Sequence, residues 1–194
     1  MSVPEKKPDG KYVYRDYLSW QDNERWEIID GVPYAMTPAP SWQHQAVLGE
    51  IHRQFANYFE GKQCRAFAAP FDVRIPGEDE SGEDIATVVQ PDLVVVCDKN
   101  KLSGTGCEGA PDLVIEILSP STAKMDLKQK LHLYERSGVK YYWVVDLQNR
   151  YITIYVLGES NTYKIKDTYF EGDTIEPEEF EGFEMDVESV FDFE

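Results

Sequence analysis

The chain has 194 residues, 36 of them acidic and 19 basic, for a formal net charge of −17. With 42% hydrophobic and 13% aromatic residues it can build a core, which excludes wholesale disorder. No apolar run approaches the roughly 18–20 residues of a membrane span, and the first residues lack the apolar stretch of a secretory signal. The acid is concentrated: residues 167–194 hold 12 acids and no base, residues 78–84 hold 5 more, and the rest balances at 19 of each sign. The basic excess that marks many nucleic-acid binders is absent. Cys64, Cys97 and Cys107 form an odd set without a CxxC pair. That predicts reduced thiols in a cytoplasmic protein and no disulfide framework or zinc finger.

In chain order, residues 1–20 read as a polar arm in which YRDYLSW can form a short helix. The stretch WEIIDGVPYAM places Asp-Gly between apolar flanks, which predicts a hairpin pairing 25–29 with 32–36. Pro38 and Pro40 break the chain, and Ser41 caps a helix from Trp42 to Phe59 whose stripe is Val47, Leu48, Ile51, Phe55, Tyr58 and Phe59. Apolar runs at 66–75, 87–97 and 111–120 read as strands, with the acidic loop between the first two. After the Ser-Pro-Ser-Thr break at 119–122, residues 123–137 read as a helix ended by Gly138. Residues 139–147, 151–157 and 162–170 are the remaining strands. The pattern predicts an α/β protein with a mixed sheet and helices on its faces. Its parts are an arm (1–20), one domain (21–166) and an acidic tail (167–194).

Gly104-Thr-Gly-Cys-Glu-Gly109 matches the dinucleotide fingerprint in letters only, because Pro111 and a strand follow where a helix N-terminus is required. We read it as a flexible connection. The stronger signal is misplaced acid. Glu116 interrupts the apolar run 113–118, on the face shared with Asp112, Val114 and Leu118, and Asp92 opens the apolar run 92–96. Two carboxylates on neighbouring strands can converge on a hard divalent cation; each can equally pair with a structural base. On the 123–137 helix, 100° steps place Asp126, Leu127 and Lys130 on the inward stripe. Lys130 there serves a site or forms an ion pair with Asp126. His44 lies on the apolar stripe of the first helix, and Glu27 alternates with Ile29 in the hairpin.

The frames Glu-Ile-Ile-Asp-Gly (27–31), His44 after Pro-x-Pro, Gln-Pro-Asp-Leu-Val-Val-Val (90–96), Pro-Asp-Leu-Val-Ile-Glu-Ile-Leu-Ser-Pro-Ser-Thr (111–122), Lys130 with Tyr134, and Gly-Val-x-x-Tyr-Trp-Val-Val-Asp (138–146) resemble the bacterial Uma-two family. Those are restriction-endonuclease-like proteins of the PD-(D/E)xK nuclease superfamily. The resemblance spans about residues 20–157. It implies an αβββαβ core preceded by a β-hairpin extension and followed by extra C-terminal strands. It matches Asp92 and Glu116 to the superfamily acids, with the Ile117 carbonyl as a third metal contact. The superfamily lysine falls two residues after the second acid, where this chain has Leu118; Lys130 stands where relatives move it to the following helix. Glu27 and His44 match upstream polar positions. The implied activity is Mg²⁺- or Mn²⁺-dependent hydrolysis of DNA phosphodiesters, with DNA and a second copy of the chain as the expected partners. The missing strand lysine and the acidic tail suit two alternatives: a catalytically silent scaffold for a protein partner, and a metal-dependent phosphodiesterase with another substrate.

Overall fold

The computed structural model describes residues 10–20, 25–36, 39–120 and 122–193. Residues 1–9 of the expected arm, the break at Pro38 and the Ser121 part of the expected cap lie outside them. After α1 (Tyr14–Ser19), β1 (Trp26–Ile29) and β2 (Val32–Ala35) form the expected hairpin, with Trp26 opposite Ala35. Asp30 and Gly31 take φ of 53° and 80°, the positive values its tight turn requires. The helix α2 (Trp42–Tyr58) begins where the Ser41 hydroxyl accepts from the His44 amide at 3.2 Å.

Two predicted strands divide at proline. The run 66–75 becomes β3 (Arg65–Ala68) and β4 (Asp72–Arg74), with Pro70 between them, and the run 87–97 becomes β5 (Val88–Val89) and β6 (Leu93–Val96), with Pro91 between them. Proline has no N–H to give a ladder, so it marks the points where the chain leaves one sheet for another. The Gly-rich stretch expected as a flexible connection is instead the hairpin of β7 (Leu102–Ser103) and β8 (Gly106–Glu108). Gly106 is required there, since a Cβ would lie 1.8 Å from the Asp72 carbonyl oxygen of the paired strand β4.

The central strand β9 (Leu113–Leu118) pairs antiparallel with β6 and parallel with β10 (Tyr141–Asp146). Next come β11 (Tyr151–Leu157) and β12 (Tyr163–Phe170), giving the order β12-β11-β10-β9-β6-β3. A second sheet runs β2-β1-β5-β4-β8-β7. Alternation along β9 sends Leu113, Ile115 and Ile117 toward α2 and Val114 toward the second sheet and the helix α3 (Leu131–Arg136). Glu116 shares the Val114 side.

Two expectations are corrected. Of the segment expected as an acidic tail (167–194), residues 167–193 are part of the domain. Beyond β12 the segment forms β13 (Thr174–Ile175), β14 (Met185–Asp186) and α4 (Val187–Phe191), and buries Ile175, Phe180, Phe183, Met185, Val190 and Phe191 against α2. Its apolar residues alternate with the acids, so a charge count alone hid a core-forming strip. Cys64 and Cys97 are joined by a disulfide, because the β3–β6 register that sets Arg65 opposite Val96 brings these flanking residues together. An odd cysteine count cannot reveal such a pairing. Cys107 remains free and buried.

Candidate active site

The helix over 123–137 opens with a π-helical stretch, Met125–Lys130, before α3. A π turn is wider than an α turn and is common at functional sites. Here Asp126 (2% exposed) and Lys130 (5%) turn inward as the sequence indicates, whereas Leu127, expected on the same stripe, is 45% exposed.

Lys130 is the centre of the site. Its Nζ donates to Glu116 Oε1 at 2.9 Å, and lies 3.0 Å from Glu27 Oε1 and 3.7 Å from Asp126 Oδ1. The Tyr134 hydroxyl, one helical turn on, also donates to Glu116 Oε1 at 2.9 Å. Glu27 reaches this point from β1 and accepts from the Gln90 amide at 2.8 Å. Asp92 stands at the start of β6, beside β9. Its Oδ2 accepts from the Ile117 amide at 2.8 Å and lies 3.3 Å from His44 Nε2. The Asp92 amide in turn approaches Glu116 Oε2 at 3.4 Å. His44 is presented by the first turn of α2, and its Nδ1 is buried with no hydrogen-bond partner among the described residues. The structure therefore brings His44, Asp92, Glu116, Ile117 and Lys130 together along one wall of a cavity of about 680 Å³, which Arg25 and Gln90 also line, while Glu27 does not line the cavity and joins the cluster through Lys130.

Charge is the notable property of this wall. Four carboxylates (Glu27, Asp92, Glu116, Asp126) face one lysine and one histidine. Burial pushes the Glu116 carboxyl well above the usual range; Lys130 opposes the shift, and Asp126, Asp92 and Glu27 add to it. Burial likewise raises Asp126 to about 6. Burial would lower the pKas of Lys130 and His44, but the surrounding carboxylates reverse both, so Lys130 stays charged and His44 is raised above its ordinary value. Excess buried negative charge of this kind calls for protons or for a cation.

No group of three or more His, Cys, Asp or Glu side chains forms a metal cluster among the described residues. The smaller set of two carboxylates, Asp92 and Glu116, with the Ile117 carbonyl that faces His44 is nonetheless all hard oxygen, the donor chemistry that Mg²⁺ and Mn²⁺ prefer. The residues present thus fit such an ion in donor type and in charge.

Sequence reasoning did not single out Gln90 or Arg25 as site residues. Gln90 lay in plain view in the Gln-Pro-Asp frame, whereas Arg25 has no signal of its own and comes to the cavity only because Gln90 Oε1 accepts from its Nε at 2.9 Å.

A mixed α/β domain with an acid-rich pocket at the ends of its central strands is a nuclease-like fold, and comparison with known proteins agrees. A crystal structure titled as a putative nuclease belonging to DUF820 from Anabaena variabilis superposes with a TM-score of 0.71 at 17% identity, covering 93% of this chain and 97% of that one. The Uma2 family profile, described as putative restriction endonuclease, matches residues 14–188. This chain belongs to the Uma2 family, and the match takes in most of the segment read from sequence as a separate tail. An uncharacterised protein of Synechocystis sp. is 30% identical over 129 residues, which are 66% of this chain and 64% of that protein's length. No helix among the described residues is long and apolar enough to cross a membrane.

Proposed function

We propose that this protein is a divalent-metal-dependent endonuclease that hydrolyses DNA phosphodiester bonds in the cavity bounded by Asp92, Glu116 and Lys130. The observation that carries the reading is the buried excess of carboxylates around Lys130, a costly arrangement that a packing role alone does not require. Asp92, Glu116 and the Ile117 carbonyl would hold Mg²⁺ or Mn²⁺. When bound, that ion supplies charge neutralisation at the phosphoryl group and lowers the pKa of an adjacent water. Lys130 holds Glu116 and Glu27 in place and contributes fixed positive charge at the site. His44, its pKa raised beside Asp92, stands where it can exchange a proton at the cavity wall. Membership of a family described as putative restriction endonuclease supports the same reaction class.

The test is nicking of supercoiled plasmid in Mn²⁺ at low salt by wild type, Glu116→Gln and Lys130→Met purified identically. Nicking by wild type that both substitutions abolish is the expected result. Equal nicking by all three, or by none, would overturn the proposal.

A further inference from the structure

A second cavity of about 420 Å³ lies beside the acidic one. Tyr17 and Trp20, at the end of α1, and Trp26, at the start of β1, form its aromatic walls. The Trp20 ring meets Tyr17 at 5.9 Å and Trp26 at 5.7 Å, both edge to face. Two buried polar side chains, Asp72 and Gln90, also line it. Asp72 accepts from the Tyr17 hydroxyl at 2.9 Å, from Gln90 Nε2 at 2.9 Å and from the Thr105 hydroxyl at 2.6 Å. Arg25 and Gln90 line both cavities. Gln90 also links them by hydrogen bonds, since its side chain meets Asp72 while its amide donates to Glu27, the carboxylate beside Lys130.

We propose that the aromatic cavity seats one unpaired nucleobase of the nucleic-acid substrate, next to the nucleotide whose phosphate enters the acidic cavity. The proposal rests on the nuclease reading above and names a subsite for its substrate. Every base has a π face, and aromatic walls bind it without regard to sequence. A cavity of this size suits a small ring system, with a few fixed polar groups to orient its edge. The base is unpaired because a base within a duplex has its faces covered by its neighbours. Arg25, exposed and braced by Gln90 on the wall common to both cavities, stands where the phosphate joining the two nucleotides passes. Its planar guanidinium is suited to that group.

The test is fluorescence anisotropy with a short labelled oligothymidine and an abasic sugar-phosphate strand of equal length, both in Ca²⁺. Wild type is expected to bind the base-bearing strand about tenfold more tightly. Trp20→Ala, confirmed as folded by circular dichroism, removes that preference while leaving abasic affinity unchanged, and Trp20→Phe restores it. Arg25→Ala, a surface change with little folding risk, weakens both strands alike. The proposal is overturned if wild type binds the two strands equally or binds neither. It is also overturned if Trp20→Ala keeps the preference or Arg25→Ala changes nothing. Plasmid nicking is read separately. A protein that discriminates the strands without nicking loses the nuclease assignment and keeps the subsite, and one that nicks without discriminating loses the subsite alone.

Discussion

Replacing Lys130 with Met removes the ammonium that faces Glu27, Glu116 and Asp126 at 3.0, 2.9 and 3.7 Å. Methionine fills a similar volume, so packing changes little and the loss is electrostatic. Removing one partner of a buried ion pair costs about 3–5 kcal/mol when the other is left charged. At roughly 2–4 °C per kcal/mol for a chain of this size, the thermal midpoint should fall by on the order of 6–20 °C near pH 8. The deficit has a definite pH dependence. Glu116 and Asp126 already have raised pKas in the folded protein, and loss of the lysine raises them further. A carboxyl with a raised folded-state pKa is no burden below its unfolded-state value and costs stability as pH rises through the folded-state value. The variant should therefore approach wild type near pH 5 and diverge from it by pH 8. Urea denaturation of both proteins in EDTA at the two pH values measures this. Equal stability at pH 8, or a deficit that grows on acidification, would refute the reasoning.

Three further outcomes follow from the packing. Gly106→Ala places a methyl group against the Asp72 carbonyl and should cost at least about 1–3 kcal/mol in urea denaturation by overpacking; an unchanged midpoint would mean that the β4–β8 contact is looser than described. Phe55→Ala removes a fully buried ring 4.5 Å from Phe183 and 5.6 Å from Trp143, at an expected cost of about 3–5 kcal/mol; a loss below about 1 kcal/mol would show that residues 175–191 do not pack on α2. Burial pushes the Cys107 thiol up to about 12, so an alkylating reagent at pH 8 should leave the native protein unlabelled and label Cys107 only in denaturant. Rapid native labelling would contradict its burial.

The elements that sequence displayed best are those whose signal is local. The Asp-Gly turn, the Ser41 cap and the stripe of α2 are each fixed by residues within a few positions of one another. Asp92, Glu116 and Lys130 were also legible, because a charge inside an apolar strand or on an inward helix face contradicts its surroundings. Long-range features were not. The crossing of the chain between sheets at Pro91 depends on which strands lie nearby, and the burial of Phe180, Phe183 and Phe191 depends on the α2 face they cover. Leu127 was misplaced because 100° steps assume an α turn, and the π turn at Met125–Lys130 left no sequence signal that periodicity detects. The Asp72 network was hidden for the same reason as Arg25. Its members come from positions 17, 72, 90 and 105, far apart in the chain.

Mn²⁺ binding followed by electron paramagnetic resonance, with wild type beside Asp92→Asn and Glu116→Gln, tests most directly whether the buried carboxylate excess is the seat of a cation. Each substitution removes one negative charge while keeping side-chain size, and circular dichroism checks that each variant is folded. The account predicts about one Mn²⁺ bound per wild-type chain and none in either variant under the same conditions. Absence of binding by wild type, or equal binding by all three proteins, would contradict it.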